Sequence, residues 1–185
     1  LAEKRRSGAI RNVGFSFHGG TVQFKKLVDT WDWDFCQIQF NYMDETSQAG
    51  IEGLRYAGEK GLPVIIMEPL RGGKLVNGLS REARQIFEDA QPSRSPVDWA
   101  LRWIWDHPQV TVVLSGMNDT AQVEENCRVA EESLPGLLTE KDREMYQRVL
   151  AALRAVTRVG CTGCGYCQPC PHGVDIPTCF AAYNA

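Results

Sequence analysis

The sequence predicts an α/β chain of four consecutive strand–helix units followed by a small cysteine-rich tail. Three observations carry this. Short apolar runs alternate with amphipathic stretches through the first 157 residues. One of those runs, residues 63–67 (PVIIM), is apolar almost throughout, as in a parallel sheet buried on both faces. Five of the seven cysteines lie at or beyond position 161, so the tail is a separate chemical object. Repeated strand–helix units imply a parallel sheet with right-handed crossovers, either open and doubly wound or part of a barrel.

Residues 10–17 (IRNVGFSF) read as the first strand, and Thr21 as a cap for a helix with Phe24, Leu27 and Val28 on one face. Residues 35–41 (FCQIQFN) alternate, with Cys36, Ile38 and Phe40 on one side and Gln37 and Gln39 on the other. A helix over residues 47–60 follows, with Gly61 as its stop. After the strand 63–67 come a turn through Gly73 and a longer excursion to Arg94. Ser95 and Pro96 then open a helix over 97–106, which His107-Pro108 ends. Trp99, Trp103 and Ile104 share one face of it and are expected in the core. Residues 110–114 (VTVVL) form the fourth strand and 120–131 the fourth helix. Thr139 with Asp142 three residues on makes a capping box for a last helix to about 157.

The composition, 43% hydrophobic and 23% charged over 185 residues, is that of a globular protein. A net charge of -3 argues against nucleic-acid partners, and Lys4-Arg5-Arg6 reads as a solvated helix terminus. No apolar run approaches the roughly 20 residues of a membrane span, so a cytoplasmic protein with no membrane contact is expected. The opening residues read as the charged end of a helix, as in a fragment of a longer chain.

No Gly-x-Gly-x-x-Gly joins the first strand to its helix, which weakens the doubly wound nucleotide-binding reading. Polar residues instead gather just past the strand ends, at Ser16, His18, Asn41, Glu68, Arg71, Ser115 and Asn118. In barrels that rim carries the chemistry.

In the tail, Cys161, Cys164, Cys167 and Cys170 repeat at x2 spacing with Gly163 and Gly165 between them. Three thiolates so spaced can wrap one face of a [4Fe–4S] cube while backbone N–H groups approach its sulfurs. Cys170 is the expected fourth ligand, with Cys179 in reserve; zinc and unliganded thiols are the alternatives. His172 reads as a hydrogen-bonding neighbour rather than a ligand. Cys36 and Cys127 are expected as small buried residues.

The motifs GAIRNVGFS (8–16), QIQFN (37–41), PLRGG (69–73) and QVEEN (122–126) resemble, in this order, landmarks of the aldo/keto reductases. More closely, the chain is similar to a branch whose barrel is followed by a four-cysteine iron–sulfur tail. The resemblance implies half of a (β/α)8 TIM barrel, strands five to eight, over residues 1–157, with a C-terminal helix and a ferredoxin-like tail over 158–185. It implies that Ser16 and Gln37 hold the nicotinamide carboxamide and that Leu70, Arg71 and Gly72 run along the pyrophosphate. Gly116, Met117 and Gln122 would surround the adenosine ribose, and Glu125 with Asn126 the adenine.

Four positions depart from the family pattern. Phe17 stands for an asparagine, Met67 for the tyrosine that stacks on the nicotinamide, and Gly116 and Gln122 for the cations that pair with a 2′-phosphate. Without a cationic fork, no preference for NADP over NAD is expected. The family's catalytic tyrosine, lysine, aspartate and histidine come from strands two to four, expected ahead of Leu1, so no catalytic residue is assigned here. The resemblance thus implies a nicotinamide-dependent carbonyl/alcohol oxidoreductase with a [4Fe–4S] cluster that relays electrons or braces the tail. The alternative is a non-catalytic iron–sulfur electron carrier or binding module on a barrel scaffold. Expected partners are the complementary N-terminal half of the barrel or a second copy of the chain, and a redox partner protein.

Overall fold

The computed structural model describes residues 1–161, 163 and 165–184. The chain packs as two compact units, Leu1–Leu70 with Asp98–Leu138, and Arg71–Val97 with Thr139–Ala185.

The first unit holds one parallel sheet in the order β1 (Gly14–Phe17), β2 (Phe35–Gln39), β3 (Val64–Met67), β4 (Val110–Val113). A short helix α1 (Ala2–Arg6) precedes β1; α2 (Thr21–Val28), α3 (Gly50–Glu59), α6 (Pro96–Trp105) and α7 (Thr120–Glu132) lie between and after the strands. The expected strand 10–17 shrinks to its last four residues because its partner begins only at Phe35, opposite Gly14. Just before that pairing Asp34 fastens the two strand starts and α1 together: its Oδ2 accepts Val13 N–H at 2.7 Å and its Oδ1 pairs with Arg5 at 3.0 Å.

Thr21 does not cap its helix. Gly20 holds the N-cap position, and Thr21 Oγ1 donates to the main-chain oxygens of Gln48 and Ala49 at 3.1 Å. The third helix starts at Gly50 rather than 47, because Gln48 and Gly50 take left-handed backbone (φ 57° and 58°) that breaks a helical run. Gly61 does end it: with φ 67° it turns the chain so that Leu62 N–H reaches the Ala57 carbonyl at 2.9 Å.

Alternation along the strands separates two faces. Cys36, Ile38 and Phe40 are buried with Val64 and Ile66, and Phe15 and Phe17 stack on Phe24 of α2. Phe40 packs against Trp103 and His107, ring centroids 4.8 and 5.1 Å apart, and Trp99 and Ile104 are fully buried, so the tryptophan face of α6 is core as expected. α6 and α7 are tied by Asp98, whose buried carboxylate pairs with Arg102 and with Arg128 (3.1 Å), while Arg102 also reaches Glu132 at 2.6 Å. The opposite sheet face carries Ser16, Gln37, Gln39, Ile65, Met67 and Val112. Val112 and the adjoining Leu114 are 41% and 44% exposed, and β1 and β4 are the sheet's two edges.

The second unit is helical: α4 (Lys74–Asn77), α5 (Arg81–Glu88), α8 (Glu140–Val156) and α9 (Ile176–Asn184). Two of these, α4 and α5, occupy the stretch expected as an irregular excursion. Ser80 caps α5 by accepting Ala83 N–H at 3.1 Å, and Ala83, Ile86 and Phe87 bury one face, with Phe87 edge-on to Tyr146 of α8. The Thr139–Asp142 capping box is present in full. Among the described residues no helix is long and apolar enough to cross a membrane.

Candidate functional site

The strands end in a rim of polar groups, and the parallel register decides which of them meet. Ser16 on β1 lies opposite Gln37 on β2, which lies opposite Ile65 on β3; Met67 is one pleat further on, opposite Gln39. Gln37 Nε2 donates weakly to Met67 Sδ at 3.5 Å. The structure therefore brings together Ser16, Gln37 and Met67 on one face, with a hydroxyl and an amide beside a half-buried thioether.

Behind them lies a network that sequence reading missed. Asp44, beyond β2, accepts from Gln39 Nε2 at 3.0 Å and from Asn41 Nδ2 at 3.2 Å. Asn41 Nδ2 also donates to the Glu68 carbonyl (3.1 Å), and its Oδ1 accepts the N–H groups of Met43 and Asp44. Gln48 Nε2 donates to Gln39 Oε1. Gln39, Asn41 and Asp44 are all buried, so this network fixes the ends of β2 and β3. Its one sequence signal is Asn41-x-x-Asp44, the pattern of an Asx turn.

Past β3, Glu68, Arg71, Gly72 and Gly73 take positive φ of 53°, 52°, 63° and 83°. Left-handed backbone at non-glycine residues is strained and concentrates where backbone geometry serves a ligand. Leu70 is half-buried, Arg71 buried and Gly72 exposed.

Past β4, Gly116 and Met117 are exposed and lead to Asp119, the N-cap of α7. Asp119 accepts Gln122 N–H (2.9 Å) and Gln122 Nε2 (2.7 Å), and Gln122 Oε1 accepts Asn118 N–H (3.2 Å). Asn126 Nδ2 donates to Ser115 Oγ at 3.0 Å, tying the helix to the strand end, with Glu125 half-buried beside it. Gln122 is thus engaged by the Asp119 side chain at the start of α7.

Burial pushes the Cys36 thiol up to about 12, as suits a core residue. Cys127, expected to be buried, is exposed: α7 buries Val129, and Cys127 points away from that stripe. In the tail Cys161, Cys167, Cys170 and Cys179 are free thiols, and Cys164 lies outside the described residues. Among the described residues no group of three or more His, Cys, Asp or Glu side chains is gathered to hold a metal. The described tail thiols are soft sulfur donors and none of them is tied into a disulfide, but they are not gathered as a cluster would require. Gly163 and Gly165, both with φ 75°, bend the backbone on either side of position 164.

Comparison with known proteins fits this geometry. No curated protein matches the chain. Its fold matches aldo-keto reductase AKR11C1 from Bacillus halodurans (holo form), at 22% identity and TM-score 0.63 over 80% of this chain and 53% of that one. It also matches aldo-keto reductase from Klebsiella pneumoniae in complex with NADPH, at 21% identity and TM-score 0.62 over 81% and 52%. The chain spans about half the length of these structures, so its four strand–helix units correspond to about half of their barrel. The family model described as "Aldo/keto reductase family" matches residues 1–137, which hold the whole sheet and every rim residue from Ser16 to Asn126. By that match, the chain belongs to the aldo/keto reductase family.

Proposed function

We propose that the chain is the strand-five-to-eight half of a nicotinamide-dependent carbonyl/alcohol oxidoreductase, with residues 158–185 as an iron–sulfur tail. The observation that carries the reading is the pairing of Ser16 with Gln37 across β1 and β2, a hydroxyl and an amide poised for a carboxamide. A fold relative solved with NADPH supports it. A bound reduced nicotinamide would supply the hydride for a carbonyl carbon. Ser16 and Gln37 hold the ring's amide, Met67 gives it an apolar wall, and the buried Asn41–Asp44 network keeps the rim from shifting. The proton donor belongs to the complementary half of the barrel or to a second copy. Bare edges at β1 and β4 and the exposed Val112 and Leu114 favour such a partner.

The absence of a cation at Gly116 and Gln122, together with the Asp119 carboxylate, favours a ribose hydroxyl over a 2′-phosphate. Titration of the isotope-labelled chain with NADH and NADPH tests both points. Shifts at the Ser16 and Gln37 amides, lost in Gln37→Ala, are expected, with no preference for NADPH. Tight NADPH binding with strong 2′-phosphate discrimination, or no response at either residue, refutes the assignment.

For the tail, we infer a [4Fe–4S] cluster on Cys161, Cys164, Cys167 and Cys170, resting on the x2 spacing and the left-handed glycines. Anaerobic reconstitution should give a brown protein with about four irons per chain and absorbance near ~400 nm. Stoichiometric zinc without iron defeats it.

A further inference from the structure

We propose that Met67 is a site of reversible oxidation by peroxide, and that its sulfoxide takes Gln37 away from the nicotinamide. The effect on binding rests on the nicotinamide reading above; the oxidation and its effect on Gln37 do not. Gln37 Nε2 lies 3.5 Å from Met67 Sδ and donates weakly to it. Ser16 stands opposite Gln37 in the register, and all three residues belong to the same compact unit. An oxidisable sulfur is thereby set against the amide of the candidate site.

Local structure presents that sulfur. Strand β3 alternates: Val64 and Ile66 are buried on one face, while Ile65 and Met67 are half-buried on the other. The main chain around Met67 is fixed on both sides. Its carbonyl accepts Phe40 N–H at 3.3 Å, and the next residue, Glu68, is held in left-handed backbone with its carbonyl on Asn41 Nδ2 at 3.1 Å. With the backbone pinned, a chemical change at the sulfur falls on the side chain it touches. Elsewhere, Met145 is buried, at 6% exposure, and Met117 is exposed in the loop past β4.

The oxidant is a peroxide. The thioether lone pair attacks one peroxide oxygen, the O–O bond breaks as the S–O bond forms, and the second oxygen leaves as water; sulfur gives up two electrons and the peroxide takes them. The product replaces a weak sulfur acceptor with a polar oxygen. Gln37 Nε2 then has a full N–H···O partner in place of its 3.5 Å contact with sulfur. An amide fastened there is withdrawn from a carboxamide, and the apolar wall has become polar. Methionine sulfoxide reductases return the thioether, which makes the change a switch.

The test treats the isotope-labelled full chain with hydrogen peroxide. Peptide mass spectrometry should find an oxygen added at Met67 well before Met145, and the Gln37 side-chain amide signals should move with the same time course. NADH affinity should fall about fivefold, the worth of one hydrogen bond, and methionine sulfoxide reductases should restore both. Met67→Leu keeps the other methionines, so its Gln37 signals and its NADH affinity should be the same before and after peroxide. Gln37 signals that stay in place while Met67 is oxidised, or a Met67 that oxidises no faster than Met145, overturn the inference and leave the nicotinamide reading standing. A peroxide-induced loss of affinity that persists in Met67→Leu assigns the effect to another residue and overturns it as well. An untreated chain that binds no NADH overturns the nicotinamide reading, and the gating of binding with it.

Discussion

Asn41 is the side chain on which the rim depends most, and its removal has a calculable cost. It is fully buried and makes four hydrogen bonds, two from Nδ2 to Asp44 Oδ2 and the Glu68 carbonyl and two into Oδ1 from Met43 and Asp44 N–H. Asn41→Ala removes all four. One loss is softened, since Asp44 N–H also reaches the Asn41 main-chain oxygen at 3.2 Å. Three bonds at roughly 0.5–1.5 kcal/mol each put the cost at about 1.5–4.5 kcal/mol. Glu68, held at φ 53° with its carbonyl on Asn41, should relax as well. Urea unfolding followed by tryptophan fluorescence measures the loss, with Gln37→Ala as comparator because Gln37 is half-buried and makes one weak bond to sulfur. An Asn41→Ala chain as stable as Gln37→Ala would refute the claim that this network fixes the rim. Asn41→Asp adds a directional check. It sets a carboxylate against Asp44 and removes the amide donor to the Glu68 carbonyl, so the variant should be less stable than Gln37→Ala.

Three further outcomes are expected. Burial holds His107 below its ordinary pKa, against weaker opposing bonds to the Trp103 and Ile104 carbonyls; the unfolded chain therefore binds its proton more readily. Its stabilising contribution is intact above about pH 6.5 and drains as pH falls through the lowered native value, so thermal unfolding from pH 7.5 to 5 should show a slope that His107→Phe flattens; an equal slope in the variant would show that other groups set it. Iodoacetamide at pH 8 should label Cys127 in the native chain and spare Cys36, whose thiol sits near 12; mass spectrometry finding Cys36 modified first would contradict its place in the core. Light scattering should find the isolated chain self-associated, and Leu114→Glu with Val112→Glu should reduce that association; a cooperative monomer would mean that the exposed sheet face needs no cover.

Much of the fold was legible because local chemistry and burial agree. Strand β2 alternates up to Ile38, Gly61 has the backbone freedom its turn demands, and the Thr139–Asp142 box opens α8. The misses fall where partners distant in sequence decide. Residues 10–13 lie ahead of the register that begins with Gly14 opposite Phe35, and Thr21 spends its hydroxyl on Gln48 and Ala49. Helix α5 did carry a signal, Ser80 before a Leu79/Ala83/Ile86/Phe87 stripe, that the surrounding glycines and prolines masked. At the strand ends, Ser16 and Gln37 were legible as polar positions of their strands, and the register sets them opposite each other. The Gln39–Asp44–Gln48 network was not, because it is assembled by a turn and not by a period. Asp119 was equally hidden, since its carboxylate acts through a cap that only the helix start reveals.

Asn184, at the end of α9, accepts the N–H groups of Arg158 and Val159 at 2.8 and 2.9 Å and returns its own Nδ2 to the Val159 carbonyl at 2.8 Å. One amide thus imitates a rung of sheet and shuts a segment that contains every tail cysteine. Shutting a loop of this length by hydrogen bonds costs only a few kcal/mol of chain entropy, rising slowly with length. The two ends of that segment therefore open and close together, through three hydrogen bonds of one side chain.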